Sequence, residues 1–280
     1  MKDKVFIIVL YNKKCSESTT LKNLVMCSLN VDSICIVWNN GPQSIKVDAK
    51  EFFSKTNIDY NLIETVENIS LAKIYNRVMI QYEAKRYIIL DDDSKISSHY
   101  FTALDSIAVN DVGMPLIYSN GVIVNPRINN IEYKPNQKIK DDDVITTIGS
   151  GLVIGENVAL SLREKFSDVF DERFNLYGVD TSFCYRLKHV YNANIKIISG
   201  FEHNLSRLNS CSDTLKVFRR EERSNDVALQ IRYYLSRKKW IPMLTMIMLS
   251  SLKKAITNKP QQYNLITVLK VFIKGKHERL

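Results

Sequence analysis

Three carboxylates, Asp91, Asp92 and Asp93, stand where the apolar run RYIIL (86–90) stops. Adjacent like charges need a counter-charge once they leave bulk water. A cluster of hard oxygen ligands suits Mg2+ or Mn2+, which takes one or two carboxylates and completes its shell with water and phosphate oxygens. The chemistry implied is a metal–diphosphate site. Two more side chains could join it. Asp180 falls in the first turn of an expected helix, where the dipole favours a carboxylate, and His203 follows the strand-like run Ile195–Ile198. A second triplet, Asp141, Asp142 and Asp143, lies beside Lys138 and Lys140 after a polar stretch. It is expected to be a solvated loop.

The elements that must position these groups alternate in type. Val5–Tyr11, Ser33–Trp38, the stretch 58–64 and Arg86–Leu90 read as strands. Between them, Leu21, Leu24, Val25 and Leu29 recur at helical spacing, as do Leu71, Ile74, Tyr75, Val78 and Met79, with a short helix expected around Asp48–Ser54. Asn39-Asn40-Gly41-Pro42 is a turn signal that ends the second strand. Repeated strand–helix units predict an α/β fold with a mostly parallel, doubly wound sheet. Ligands bind such sheets beyond the carboxyl ends of the strands, which is where the first triplet falls. No GxxxxGK[ST] or GxGxxG loop is present, so glycine-cradle nucleotide folds are not supported. A haloacid-type phosphatase would need Asp-x-Asp after its first strand, whereas this triplet follows the fourth and reads DDDSK.

Composition is that of one large globular domain, or one domain plus an appendage: 280 residues, 45% hydrophobic and 25% charged. No export signal is visible at the N-terminus. The five cysteines, Cys15, Cys27, Cys35, Cys184 and Cys211, form no CxxC pair and are expected as free thiols in a reducing cytoplasm. The net charge of +9 is unevenly placed: residues 216–280 hold 15 Lys+Arg against 4 Asp+Glu, and residues 1–215 hold 24 against 26. In the basic tail the apolar run IPMLTMIMLSSL (241–252) is shorter than the ~20 residues that span a bilayer. Leu265, Val268, Leu269, Phe272 and Ile273 recur at helical spacing beside Lys270, Lys274 and Lys276. The bland reading is a pair of helices packed on the main domain. The functional one is a basic amphipathic region, residues 213–280, lying on an anionic membrane surface. No nucleic-acid module accompanies the charge, so nucleic acid is not expected as a partner. His99 and His189 are expected at the surface or satisfied, and Arg186 on an ordinary helix face.

Over about residues 4–207, the ordered set VLYN, WNNGP, ENISLAKIYN, YIILDDDS, TIGSGLVI, FDERFNLYGVDTSFCYR and His203 resembles the family 2 inverting glycosyltransferases, nearest their rhamnosyltransferase and galactofuranosyltransferase-like branch. The resemblance implies a GT-A fold for residues 1–212 with a C-terminal basic helical region. It implies transfer from a nucleotide-diphosphate sugar to a hydroxyl of a growing bacterial surface glycan, such as O-antigen or capsule, on a lipid carrier. The setting would be cytoplasmic, peripheral on the inner face of the plasma membrane. By matched position, Tyr11, Asn12, Asn39, Asn40, Asn68, Asn76, Asp91 and Asp92 would bind the nucleotide sugar. Asp93 and His203 would hold Mg2+ or Mn2+, and Asp180 would be the catalytic base. Three features depart from the pattern: Asn39 stands where the family has Asp, Ser182-Phe183 replaces an acidic residue and Trp, and 119–140 matches nothing. Two rivals remain at this level. One is a sugar-phosphate nucleotidyltransferase, although its N-terminal Gly-rich signature is absent. The other is a catalytically inert GT-A-like membrane assembly partner.

Overall fold

The computed structural model describes residues 1–280 except 28, 30, 191, 192 and 204–211. Four parallel strands form its first half: β1 (Lys2–Leu10), β2 (Ser33–Asn39), β3 (Tyr60–Glu64) and β4 (Ala84–Leu90). Helices α1 (Thr19–Met26), α2 (Lys46–Phe53) and α3 (Leu71–Gln81) connect them. Every residue of β2 is buried. Burying each of Ile34, Ile36, Val37 and Trp38 contributes about 1.5–3 kcal/mol, which outweighs the ~1 kcal/mol range of strand propensity against which Ser33 and Asn39 count.

The period of two divides the side chains between two cores. Val5, Ile7, Ile36 and Ile89 face one side, with α3 beneath them. Phe6, Ile8, Val37 and Ile88 face the other, against Leu21 and Leu24 of α1 and Phe53 of α2.

The second half completes the sheet. After α4 (Ser98–Leu104) come β5 (Asp111–Ser119), β6 (Val122–Asn125), β7 (Arg127–Ile128), β8 (Ile131–Glu132), β9 (Ile145–Thr146) and β10 (Val153–Gly155). Then follow α5 (Glu156–Phe166), α6 (Val179–Leu187) and β11 (Asn194–Glu202). The main order is β11-β5-β10-β4-β1-β2-β3, with β6 beside β5. The sheet is mostly parallel as expected, with β10 antiparallel to both its neighbours. The stretch 119–140, which matched no motif, builds β6 and two strands, β7 and β8, of the small β8-β7-β9 sheet that walls the cleft. The last long strand outruns its expected span of 195–198, because a bulge between Ile198 and Phe201 lets pairing with β5 resume to Glu202.

The tail forms three helices: α7 (Asp213–Tyr234), α8 (Arg237–Ile256) and α9 (Leu265–Lys274). Ala228 and Leu229 of α7, and Val268 and Val271 of α9, join the same core as the sheet. The tail helices thus pack on the main body, as the bland reading of the sequence has it. Among the described residues no helix is long and apolar enough to cross a membrane. Cys15, Cys27, Cys35 and Cys184 are free thiols, and Cys211 lies outside the described residues.

Candidate functional site

The strand ends carry the site. β4 stops at Leu90, and Asp91, Asp92 and Asp93 leave it in three directions. Asp91 opens into a cavity of about 470 Å3 that is also lined by Asp180, His203 and Tyr75. Asp92 turns away, ion-paired to Lys13 at 2.6 Å, while its carbonyl accepts from the Ser18 hydroxyl and the Thr20 amide. Asp93 turns toward His203, whose Nδ1 lies 3.8 Å from Asp93 Oδ1 and whose Nε2 lies 3.5 Å from Asp91 Oδ2. The sequence reading put Asp91 on the nucleotide side. In the structure its carboxylate lies in one cluster with Asp93 and His203 that could hold a metal ion.

Two devices bring these groups together. Lys95 pairs with Glu202 across an isolated bridge, and the Ser97 hydroxyl donates to the Gly200 carbonyl, which lays the chain after the triplet against the end of β11. The Ser150 hydroxyl accepts from the Asp91 amide and contacts the Ser94 hydroxyl at 2.6 Å. Gly151 follows with φ +81, and a Cβ there would sit 2.7 Å from Pro115. The small pair in TIGSG is thus what lets the loop close on the triplet.

One ligand atom each from Asp91, Asp93 and His203 lies within 4.8 Å of the others. Two carboxylates and one imidazole suit a six-coordinate hard cation that keeps water or phosphate oxygens in its remaining positions. Burial holds the His203 imidazole below its ordinary range, against the pull of Asp93 and Asp92. It is therefore neutral at pH 7 and able to ligate. Desolvation in the cleft, with the charges of Asp93, Asp92 and Asp180, raises Asp91 to about 7. A bound cation would remove that penalty.

Asp180 sits in the first turn of α6, and its Oδ1 accepts from the Thr181 amide at 2.7 Å. Tyr75, buried beneath, has its hydroxyl pushed well above its ordinary range by burial and by Asp91 and Asp180. It is a neutral donor in the cleft wall.

The asparagines have different places. Asn39 donates to the Gln43 carbonyl and to Glu64 Oε1, and its Oδ1 accepts from the Gly41 amide. Asn40 brackets the β3–α3 loop: it donates to Asn68 Oδ1 and the Ile69 carbonyl, and accepts from the Ile69 amide and the Thr65 hydroxyl. Asn76 grips Phe170 from both sides, donating to its carbonyl and accepting from its amide. Their amides hold backbone, and none of the three lines the cavity. Tyr11 and Asn12 are exposed beyond the end of β1, Asn12 with φ +49. Arg186 is 3% exposed, paired with Asp168 and, at 3.5 Å, with Asp171. It is a buried ion-paired residue, where the sequence reads an ordinary helix-face position. The second triplet is a loop as expected, and Asp143 closes it by accepting from the Lys140 amide and Asn129 Nδ2.

Sequence reasoning missed the far wall. Arg127 of β7 and Arg223, Asp226 and Gln230 of α7 line the cavity. The α7 residues are spaced i, i+3 and i+7, one helix face, a signal that was legible but lay inside the basic tail. Thr147 also lines the cavity, 4% exposed, its hydroxyl without a partner among the described residues.

This architecture resembles solved glycosyltransferase structures of the GT-A type. Residues 1–349 of S. aureus TarS in complex with UDP-GlcNAc superpose with TM-score 0.57 at 16% identity, covering 100% of this chain and 82% of that one. The mannosyltransferase PcManGT of Pyrobaculum calidifontis, in complex with GDP-Man and Mn2+, gives TM-score 0.53 at 10% identity over 80% of this chain and 61% of that one. GalNAc-T7 with UDP, GalNAc and Mn2+ gives TM-score 0.52 at 13% identity over 92% and 59%. The fold is GT-A. The chain spans 66% of the TarS 1–349 fragment in one match and 40% of the longer TarS chain in another. No protein-family model and no curated protein matches the sequence.

Proposed function

We propose that the protein is a metal-dependent inverting glycosyltransferase that moves a sugar from a nucleotide-diphosphate donor to an acceptor hydroxyl. The observation that carries this reading is the convergence of Asp91, Asp93 and His203 in the cavity that also holds Asp180, at the strand ends of a GT-A sheet. Asp91, Asp93 and His203 would hold Mg2+ or Mn2+, which when bound neutralises the charge growing on the departing diphosphate. Asp180 takes the proton of the acceptor hydroxyl as its oxygen bonds the anomeric carbon and the bond to the diphosphate breaks. Tyr75 in the cleft wall supplies a donor to a sugar or phosphate oxygen. The turn at Asn39, Asn40 and Asn68, with Tyr11 and Asn12 beside it at the end of the neighbouring strand β1, is the proposed nucleoside side. The resemblance extends the reading to a lipid-linked bacterial surface glycan as acceptor.

The tail fits that setting. On α8, Ile241, Met248, Leu249, Leu252 and Ile256 are exposed along one face, as are Ile266, Leu269 and Ile273 on α9. Arg237, Lys238, Lys239, Lys253, Lys254, Lys270 and Lys274 flank these stripes. Apolar faces ringed by lysine suit an anionic membrane surface.

The test is incubation of the purified protein with a panel of nucleotide sugars and Mn2+, following release of nucleoside diphosphate. Pyrophosphate release instead would make it a nucleotidyltransferase. Neither turnover nor Mn2+-dependent nucleotide binding would make it an inert relative.

A further inference from the structure

Helix α7 brings a second carboxylate to the cleft. Asp226 lines the same cavity as Asp180, between Arg223 and Gln230 on one face of the helix. Its position is tightly set. Gly178, with φ +79, caps α6 two residues before Asp180, and a Cβ there would lie 2.1 Å from Asp226 Oδ1. That left-handed backbone favours glycine, and the bare Cα leaves room for the Asp226 carboxylate beside it. Gln230 Nε2 donates to Asp226 Oδ1 at 2.5 Å and aims the carboxylate. Among the described residues Oδ2 has no hydrogen-bond donor. The charged and titratable groups that act on Asp226 or share its surroundings are Asp180 and Tyr185 from α6, Glu222 and Arg223 from α7, and Tyr263 from the α8–α9 connection.

We propose that Asp226 is an acceptor-binding residue: it accepts a hydrogen bond from the hydroxyl adjacent to the one that reacts at Asp180, so the acceptor carries neighbouring hydroxyls and α7 is its docking wall. The inference rests on the glycosyltransferase reading and adds the acceptor's chemistry to it. Two carboxylates on different helices each take one hydroxyl of a diol through a charge-assisted bond, whereas a lone hydroxyl engages one of them. Gln230 and Arg223, at either side, supply donors to further acceptor oxygens.

The experiment uses the full chain with Mn2+ and the nucleotide sugar it hydrolyses fastest. Nucleoside diphosphate release is measured with ribitol, with methyl hexosides and with their monodeoxy counterparts. Polyols with adjacent hydroxyls should accelerate release and the deoxy compounds should not. Asp226→Asn should raise the half-saturating acceptor concentration roughly ten- to hundredfold, far more than that of the donor, and should erase the preference for adjacent hydroxyls. Asp226→Ala is the second variant, and a thermal melt of each confirms that it folds. The proposal is overturned if donor and acceptor half-saturation rise together, if the preference survives in Asp226→Asn, or if no polyhydroxyl compound stimulates a wild-type protein that hydrolyses its donor. If the wild type neither hydrolyses a nucleotide sugar nor binds UDP or GDP with Mn2+, the glycosyltransferase reading itself falls, and this inference with it.

Discussion

Asn39 and Glu64 face each other in register where β2 and β3 end, and Asn39 Nδ2 donates to Glu64 Oε1 at 2.9 Å. Glu64 also accepts from the Ile45 amide at 2.8 Å and the Ser44 hydroxyl at 3.0 Å. Burial would raise Glu64, but these bonds and Lys46 hold it below its ordinary range. The resemblance would place Asp at position 39. Here it would set two carboxylates against each other, so the amide is what this neighbour requires.

Asn39→Asp should therefore destabilise the protein by about 1–2 kcal/mol at pH 7. Glu64 has a lowered folded pKa, so its stabilisation is present above its unfolded value of 4.5 and is lost as pH falls. The variant's repulsion is relieved over the same fall. Urea unfolding at pH 7 and near pH 4 should show the gap closing. An equal gap at both values would mean that charge is not the cause.

Removing a member of the acidic cluster should separate the triplet by role. Asp93→Ala, Asp91→Asn and His203→Ala should each weaken Mn2+ binding at least tenfold. Asp92→Ala, which breaks the ion pair to Lys13 and removes only a more distant charge from the cluster, should leave it within about threefold. Isothermal titration with Mn2+ measures all four. Equal losses would show that the three aspartates act as one undifferentiated patch.

Asp226 combines its proposed role with a cost. Desolvation first, then Asp180 and Glu222, raise it to about 7 against the pull of Gln230. A raised folded value favours folding below the unfolded value of 3.8, and that contribution is lost as pH rises through about 7. Asp226→Asn should then melt higher than the wild type at pH 8, by about 1–2 kcal/mol given that water in the cleft screens the charges. The difference should shrink toward pH 5. A variant that melts lower at pH 8 would contradict the burial of this charge.

The exposed stripe of α8 predicts membrane binding that depends on apolar contact and charge together. Leu249→Glu with Leu252→Glu should lower sedimentation with vesicles containing phosphatidylglycerol by tenfold or more, since each buried leucine contributes about 1.5–3 kcal/mol. High salt should weaken wild-type binding. Binding that survives both changes would place the contact elsewhere.

The amino-acid sequence by itself determined the strand–helix alternation, the placement of Asp91–Asp93 after a buried strand and of Asp180 at a helix start, and the separation of that triplet from Asp141–Asp143. Those features are local: apolar periodicity, caps and turn residues act within a few positions of chain. Only the tertiary structure decided that Asp92 turns to Lys13 while Asp91 and Asp93 meet His203. It likewise decided that Asn39, Asn40 and Asn76 hold backbone and that Arg186 is buried between Asp168 and Asp171. It also brought Asp226 against Gly178, 48 positions earlier in the chain. The periodicity of α7 marks one polar face, but what stands opposite that face depends on how α7 packs on α6. That packing is set by the shared core around Ala228, Leu229 and Phe183, whose contacts form only when segments distant in sequence are buried together.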